Sequence, residues 1–173
     1  MKINLYVDFD GVILNSIDIS YRKIKEAYGN DASTEEAASF YQNIDWDSFI
    51  EECTPINNSI DNLQDIIDSG RFHVTVLSHV LSSNEADAKR KFLNNRLPDI
   101  YFIPVMKPNP KWSAVDCKGA ILIDDYSENL DLWKEHGGIP IKFSLKNKEY
   151  DYISIKSLDE ILDISFDKLE EKI

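Results

Sequence analysis

Five polar side chains stand at or directly behind the ends of apolar runs in this 173-residue chain: Asp8, Asp10, Ser78, Asp124 and Asp125. Asp8 and Asp10 are two residues apart, so on a strand their carboxylates would point to the same face and repel each other. A second carboxylate pair and a hydroxyl group at similar positions indicate one shared site that needs positive charge.

The elements that would position these side chains alternate along the chain. Strand candidates lie at residues 3–7, 71–79, 100–105, 118–125, 139–143 and 152–157. Helix candidates lie at 16–28, 33–42, 45–54, 59–70 and 82–93, around Leu130 and Trp133, and from Ser157 onwards. Strands that alternate with helices predict an α/β fold, a doubly wound parallel sheet with a Rossmann-like core.

One stretch departs from this alternation. Residues 16–70 hold several short helix candidates and no strand, although a crossover between parallel strands needs only roughly a dozen residues and a helix. We therefore predict a catalytic core of residues 1–15 and 71–173, with residues 16–70 as a small helical cap. The cap aromatics Phe40, Tyr41, Trp46 and Phe49 are expected to form its core, with stacking on a ligand as the alternative.

The ends of the strand candidates predict a site. Parallel strands bring their carboxyl ends to one edge of the sheet, where ligands bind in open α/β folds. Four carboxylates crowded there would not all stay ionised without a cation, and oxygen ligands without His or Cys favour Mg²⁺. A lysine would complete an anion site, and both Lys107 and Lys111 precede the fourth strand.

These segments resemble a known family. DFDGV, then VTVLS, then a lysine, then ILIDD are similar to the four motifs of the haloacid dehalogenase superfamily, in the same order. Most members are Mg²⁺-dependent phosphatases that work through an aspartyl phosphate. DFDGV with LIDD, and the segment DDYSENLDLWKEHGGIPIKF, are most similar to the 5′-nucleotidase or deoxyribonucleotidase-like branch. Val12 replaces the threonine that is common in the wider superfamily, but valine is usual in that branch.

The resemblance implies a role for each side chain. Asp8 would be the nucleophile, and Asp10 would be the general acid and base whose backbone carbonyl also binds the metal. Ser78 and Lys111 would bind the phosphate, with Lys107 and Lys118 left open as alternatives. The metal ligands would be Asp8, Asp10, Asp125 and Asp124, the last directly, through water or by orienting the others. Asn129 is a weaker candidate for a residue that orients the ligands.

Composition limits the classes of protein that remain. The net charge of −12 argues against a polynucleotide partner and against a polybasic membrane anchor. Two cysteines without CxxC spacing, and an amino terminus without a long apolar run, predict a cytoplasmic protein with reduced thiols. The expected partner is a small phosphorylated metabolite. A nucleoside 5′-monophosphate is preferred, and a sugar phosphate is the alternative.

Two further classes stay open at this point. One is a non-catalytic binding domain on the same fold, and the other is a phospho-accepting receiver domain, which the order of the motifs fits poorly. The acidic segment 166–173 is predicted to be a solvated terminal helix.

Overall fold

The structure is a computed structural model that describes residues 2–166. The strands are β1 (Ile3–Val7), β2 (Phe72–Val80), β3 (Tyr101–Met106), β4 (Ile121–Asp124), β5 (Ile139–Phe143) and β6 (Ile153–Ile155). The α-helices are α1 (Ser16–Tyr28), α2 (Thr34–Asn43), α3 (Trp46–Glu52), α4 (Ser59–Asp68), α5 (Ser83–Asn94) and α6 (Ser127–Glu135). Two 3₁₀ helices lie at Lys111–Ala114 and Leu158–Asp163.

The six strands form one parallel sheet in the order β3-β2-β1-β4-β5-β6. This confirms the predicted α/β fold with a Rossmann-like sheet. The strand order reverses between β1 and β4, which is where such sheets open a crevice at their carboxyl ends. Val7 is opposite Val76 on one side and Ile123 on the other, so Asp8 and Asp124 leave the sheet at the same level.

The two central strands are apolar and buried because helices cover both faces of the sheet. Leu5, Val7, Ile121 and Ile123 are all fully buried, as the continuous apolar runs predict for a parallel sheet. Trp133 of α6 packs beneath β4 and donates its indole N–H to the Ala120 carbonyl at 3.0 Å. These contacts fix the backbone from which the carboxylates of the sheet edge project.

Four helices lie between β1 and β2, as the sequence predicts for residues 16–70. Of these, α4 packs against β2 and the 3₁₀ helix Leu158–Asp163, so it lies on the sheet as the crossover between the first two strands. Helices α1 and α2 contact each other, and α3 contacts α5. The limits of a separate cap stay a prediction.

Local details differ from the sequence-based expectations in two places. β2 continues two residues past Ser78 because β3 pairs with it as far as Met106. The spacing of Ser82 and Glu85 predicts a capping box at the start of α5, but the Glu85 carboxylate does not complete it. It accepts instead from Leu81 N, at 2.7 Å, and from Lys89.

The carboxyl-terminal part of the chain also departs from expectation. A full capping box forms at Ser157 and Glu160, but it opens a 3₁₀ helix of six residues rather than an α-helix. Apart from Phe166, the predicted helix over 166–173 lies outside the described residues. Within residues 2–166, no helix is both long enough and apolar enough to cross a membrane.

Candidate active site

A cleft of about 490 Å³ opens at the carboxyl edge of the sheet, over β1 and β4. Its floor consists of Asp8, Asp10 and Asp125, with Asp124 and Lys111 directly beneath. The opposite wall consists of four aromatic residues from α1, α2 and α3: Tyr21, Tyr41, Trp46 and Phe49. The rest of the lining consists of Ser16, Ile17, Ser20, His79, Val80, Leu81, Glu85, Tyr126 and Asn129, with the exposed Lys107 at the rim.

Asp8 is held by a buried lysine. Lys111 Nζ lies 2.7 Å from Asp8 Oδ1 and 2.6 Å from Asp124 Oδ2, so it bridges the ends of the two central strands. Asp8 Oδ1 also accepts from Phe9 N at 2.8 Å. No described residue hydrogen-bonds to Asp8 Oδ2, which leaves that oxygen available to a ligand.

The two aspartates after β4 differ in their surroundings. Asp124 is fully buried, and its oxygens accept from Tyr126 N at 2.8 Å and from Asn129 Nδ2 at 2.9 Å, in addition to Lys111. The Asp125 carboxylate has no hydrogen-bond donor among residues 2–166 and lines the cleft. Asp124 is therefore suited to orienting its neighbours, and Asp125 is suited to binding a ligand directly.

Gly11 makes room for Asp125. Its φ angle is +73°, and a Cβ atom added there would lie 2.4 Å from Asp125 Oδ2. A side chain at this position would therefore be strained by the backbone and would collide with the carboxylate. The turn after Asp10 depends on glycine for both reasons.

Three of these carboxylates could hold a metal ion. Asp8, Asp124 and Asp125 each offer an oxygen, and these oxygens all lie within 4.8 Å of one another. Oxygen ligands alone are the donor set that Mg²⁺ prefers. The residues therefore fit the predicted ion, although the Asp10 side chain lies outside this group.

The charge around the floor also favours a divalent cation. The carboxylates in contact there belong to Asp8, Asp10, Glu85, Asp124 and Asp125, and the buried ammonium groups belong to Lys89, Lys111 and Lys142. With all of these groups ionised, two negative charges remain without a partner. One divalent cation would neutralise them.

The same crowding shifts the acidity of the floor. Burial, together with the negative charge of Asp124, raises the pKa of Asp8 to about 8, and Lys111 offsets only part of the effect. Burial and Asp124 likewise raise the pKa of Asp125 to about 6. In the metal-free protein both carboxyl groups hold protons more tightly than usual, so a cation and protons compete for these oxygens.

Asp10 has a different environment, because its carboxylate is bound at both oxygens. Ser16 Oγ donates to Oδ1 at 2.7 Å, and Lys89 Nζ lies 2.5 Å from Oδ2. Burial alone would raise the pKa of Asp10, but the Lys89 ammonium and the Ser16 hydroxyl hold it below its usual range. Asp10 is therefore a carboxylate in the ligand-free protein.

The predicted phosphate-binding residues occupy different positions. Ser78 is fully buried behind Asp10, and its hydroxyl donates to the His79 carbonyl at 3.2 Å. Lys111 lies beneath the floor, whereas Lys107 lines the rim of the cleft. Lys118 is exposed and packs near Gly137, away from the cleft lining. The geometry thus brings Lys111 to Asp8 and Lys107 to the opening.

Two buried lysines were missed by the sequence reasoning. Lys89 stands four residues after Glu85, a spacing typical of an exposed helical ion pair, so the sequence carries no signal of its burial. Lys142 donates to the Asp125 carbonyl and to Ser127 Oγ. Here a signal existed, because Lys142 interrupts an otherwise apolar strand.

The wall aromatics pack in the core and also face the cleft. Trp46 and Phe49 belong to the hydrophobic core and line the cleft at the same time. The rings of Tyr41 and Trp46 lie 6.2 Å apart with an angle of 10° between their planes. The wall is therefore an aromatic surface that shares the cleft with the carboxylate floor.

The fold is shared with solved hydrolases of the haloacid dehalogenase (HAD) superfamily. A subfamily IA hydrolase from Geobacter sulfurreducens is 15% identical, with a TM-score of 0.62 over 94% of this chain and 99% of that one. A HAD phosphatase from Thermococcus onnurineus is 16% identical, with a TM-score of 0.60 over 94% and 97%. A HAD hydrolase from Bacillus subtilis, solved with bound magnesium, is 12% identical, with a TM-score of 0.60 over 94% and 97%.

At these identities the likeness establishes the fold. No family model matches the sequence, and no curated protein matches it either. The resemblance inferred from the four motifs thus agrees with the observed fold, while the nucleotidase-like branch stays a prediction.

Proposed function

We propose that this protein is a Mg²⁺-dependent phosphatase of small phosphate monoesters that works through an aspartyl phosphate on Asp8. The observation that carries the proposal is the state of the Asp8 carboxylate. One oxygen is fixed by buried Lys111 and the other is free beside the cleft. A carboxylate that is held and partly neutralised in this way is suited to attack an incoming phosphorus atom.

The metal site supports the same chemistry. The Asp8 and Asp125 carboxylates would hold Mg²⁺, together with the Asp10 carbonyl that the family resemblance implies, and Asp124 would orient them. When bound, Mg²⁺ would screen the negative charge of the phosphate from the carboxylates. Lys111 adds a fixed positive charge beneath the nucleophile, as phosphoryl transfer requires.

Asp10 would handle the protons. The leaving oxygen takes a proton from Asp10 as its bond to phosphorus breaks, and Asp10 then accepts a proton from the water that hydrolyses the aspartyl phosphate. The Lys89 ammonium favours the ionised form of Asp10. Asp10 would therefore take up its first proton when the ester binds, because the negative charge of the ester offsets the effect of the ammonium.

The wall supports a nucleoside 5′-monophosphate as the substrate. Aromatic rings bind nucleobases by stacking, at about 1–3 kcal/mol per base. Tyr41 and Trp46 offer nearly parallel rings across the cleft from Asp8. A sugar phosphate without a base would leave this surface without a partner, so we prefer the nucleotide.

The test is hydrolysis of 4-nitrophenyl phosphate and of a panel of nucleoside and sugar phosphates, with and without Mg²⁺. We expect turnover only in the presence of Mg²⁺, and we expect the highest kcat/KM for a nucleotide. Asp8→Asn should lower the turnover by at least about 10³-fold. Unchanged turnover in Asp8→Asn would overturn the assignment of the nucleophile. Mg²⁺ binding without activity on any ester would favour a non-catalytic domain.

A further inference from the structure

Lys89 is a buried lysine to which the metal and nucleophile roles assign no function. Its side chain is 0% exposed, and it lies within α5, a helix that packs against β2 and α3. Burying an ammonium group costs several kcal/mol unless charged and polar partners surround it. A lysine at this depth therefore needs a reason that general packing does not provide.

The partners of Lys89 lie at the edge of the proposed site. Its Nζ atom is 2.5 Å from Asp10 Oδ2 and 2.7 Å from Glu85 Oε1. It also donates to the His79 carbonyl at 3.1 Å and to Ser78 Oγ at 3.2 Å. An ammonium group has three hydrogens and no lone pair, so these contacts use all of its capacity. Lys89 is a fixed support rather than a free ligand for the substrate.

Glu85 fixes Lys89 from the other side. Its second oxygen accepts from Leu81 N at 2.7 Å, and its own amide donates to Ser82 Oγ at the start of α5. The Glu85 carboxylate is therefore anchored to the helix start and to Lys89 at once. A continuous set of contacts runs from the amino end of α5 to the Asp10 carboxylate.

We propose that Lys89, anchored by Glu85, is a positioning residue that holds the Asp10 carboxylate toward the leaving oxygen of the ester. This inference rests on the proposed function. In the first step the bond from Asp8 Oδ2 to phosphorus forms, the bond from phosphorus to the leaving oxygen breaks, and the proton of Asp10 moves to that oxygen. Lys89 keeps the resulting carboxylate in place until water gives it a proton in the second step.

The proposal predicts a dependence on the leaving group. An alkoxide needs a proton as it departs, whereas 4-nitrophenolate is a stable anion and leaves without one. We expect Lys89→Met to lower kcat/KM for a nucleoside 5′-monophosphate by about 10²-fold, and for 4-nitrophenyl phosphate by less than about tenfold. Equal losses for both substrates, or no loss, would overturn the proposal, because a merely structural lysine would not distinguish leaving groups.

Three further variants sharpen this measurement. Lys89→Arg keeps the charge, so its loss of kcat/KM for the nucleotide should be smaller than that of Lys89→Met. Glu85→Gln keeps the acceptor for Leu81 N, so it is the variant to use if Lys89→Met does not fold. It should also lower kcat/KM more for the nucleotide than for 4-nitrophenyl phosphate, by a factor of roughly three to ten. Lys91→Met is the matched control, because this exposed lysine on the same helix pairs with Asp47 at 3.1 Å, and it should leave both rates unchanged.

A measurement that needs no activity separates this inference from the proposed function. In crystal structures of Lys89→Met, we expect the Asp10 carboxylate to leave the position that it has in the wild type. If the wild type hydrolyses no ester, the proposed function fails, and the position of Asp10 still decides the inference. An Asp10 carboxylate that stays in place without Lys89 contradicts it.

Discussion

The floor and the wall of the cleft are held in place by different means. The floor stands on β1 and β4, the two central strands, which are buried on both faces and bonded along their length. The wall comes from α1, α2 and α3, helices outside the sheet, and the aromatic rings of α2 and α3 pack on one another. Under the proposed function, the floor would set the chemistry, while the wall would be free to set the choice of substrate.

Among variants that leave the carboxylates of the floor intact, the largest effect is expected at the lysine beneath it. Lys111→Met removes the charge that pairs Asp8 with Asp124, so we expect kcat to fall by about 10²–10³-fold in the presence of Mg²⁺. Circular dichroism establishes that the variant is folded. Lys107→Met is the matched control, because Lys107 lies at the rim, and we expect a loss below about tenfold. A larger loss in Lys107→Met would move the phosphate-binding role to that residue.

A second effect concerns the metal ligands. Asp125→Asn replaces the open carboxylate by a neutral group, so the apparent Kd for Mg²⁺, measured by calorimetry, should rise by at least about tenfold. Asp31→Asn, which changes an exposed aspartate between α1 and α2, should leave it unchanged. Equal affinity in Asp125→Asn and the wild type would exclude Asp125 as a direct ligand.

The floor alone predicts an unusual dependence of stability on pH. The raised pKa values, about 8 for Asp8 and about 6 for Asp125, mean that the metal-free folded state binds more protons than the unfolded state. The contribution of these two groups to the free energy of unfolding is then fully present below about pH 4, and it is lost as the pH rises toward about 8. We expect the Tm of the metal-free protein to fall by roughly 5 °C between about pH 5 and about pH 8.

Mg²⁺ should remove this loss, because it binds the ionised carboxylates. In differential scanning calorimetry, saturating Mg²⁺ should raise Tm more at about pH 8 than at about pH 5, and Asp8→Asn should flatten the metal-free curve. A Tm at neutral pH that does not change when Mg²⁺ is removed would show that the floor is not strained by its charges.

The floor was largely predictable from the sequence, and the reason is geometric. Apolar runs of roughly four to six residues mark buried parallel strands, and parallel strands end at one edge, so the residues behind them must meet. The same rule that predicts the sheet therefore brings Asp8, Asp124 and Asp125 together. Lys111 was favoured from its place before β4, and the structure brings it to Asp8.

The supports of the floor were not predictable in the same way. Whether Lys89 is buried depends on how α5 packs on β2 and α3, and the pattern of the helix alone is that of a surface ion pair. The side-chain direction of Asp10 depends on that lysine. The wall has the same difficulty, because its rings come from three different helices whose mutual packing no local pattern sets.

The smallest effect is expected at the wall, and it tests whether the wall selects the substrate. Tyr41→Leu removes one ring of the stacked pair, so KM for a nucleoside 5′-monophosphate should rise by about five- to twentyfold, from a loss of about 1–2 kcal/mol of stacking. KM for ribose 5-phosphate, which has no base, should stay the same. Phe40→Leu is the matched control, because this neighbouring ring contacts Tyr41 but does not line the cleft. If Tyr41→Leu changes KM equally for both substrates, the wall only supports the fold, and the choice of substrate must be made by the rim.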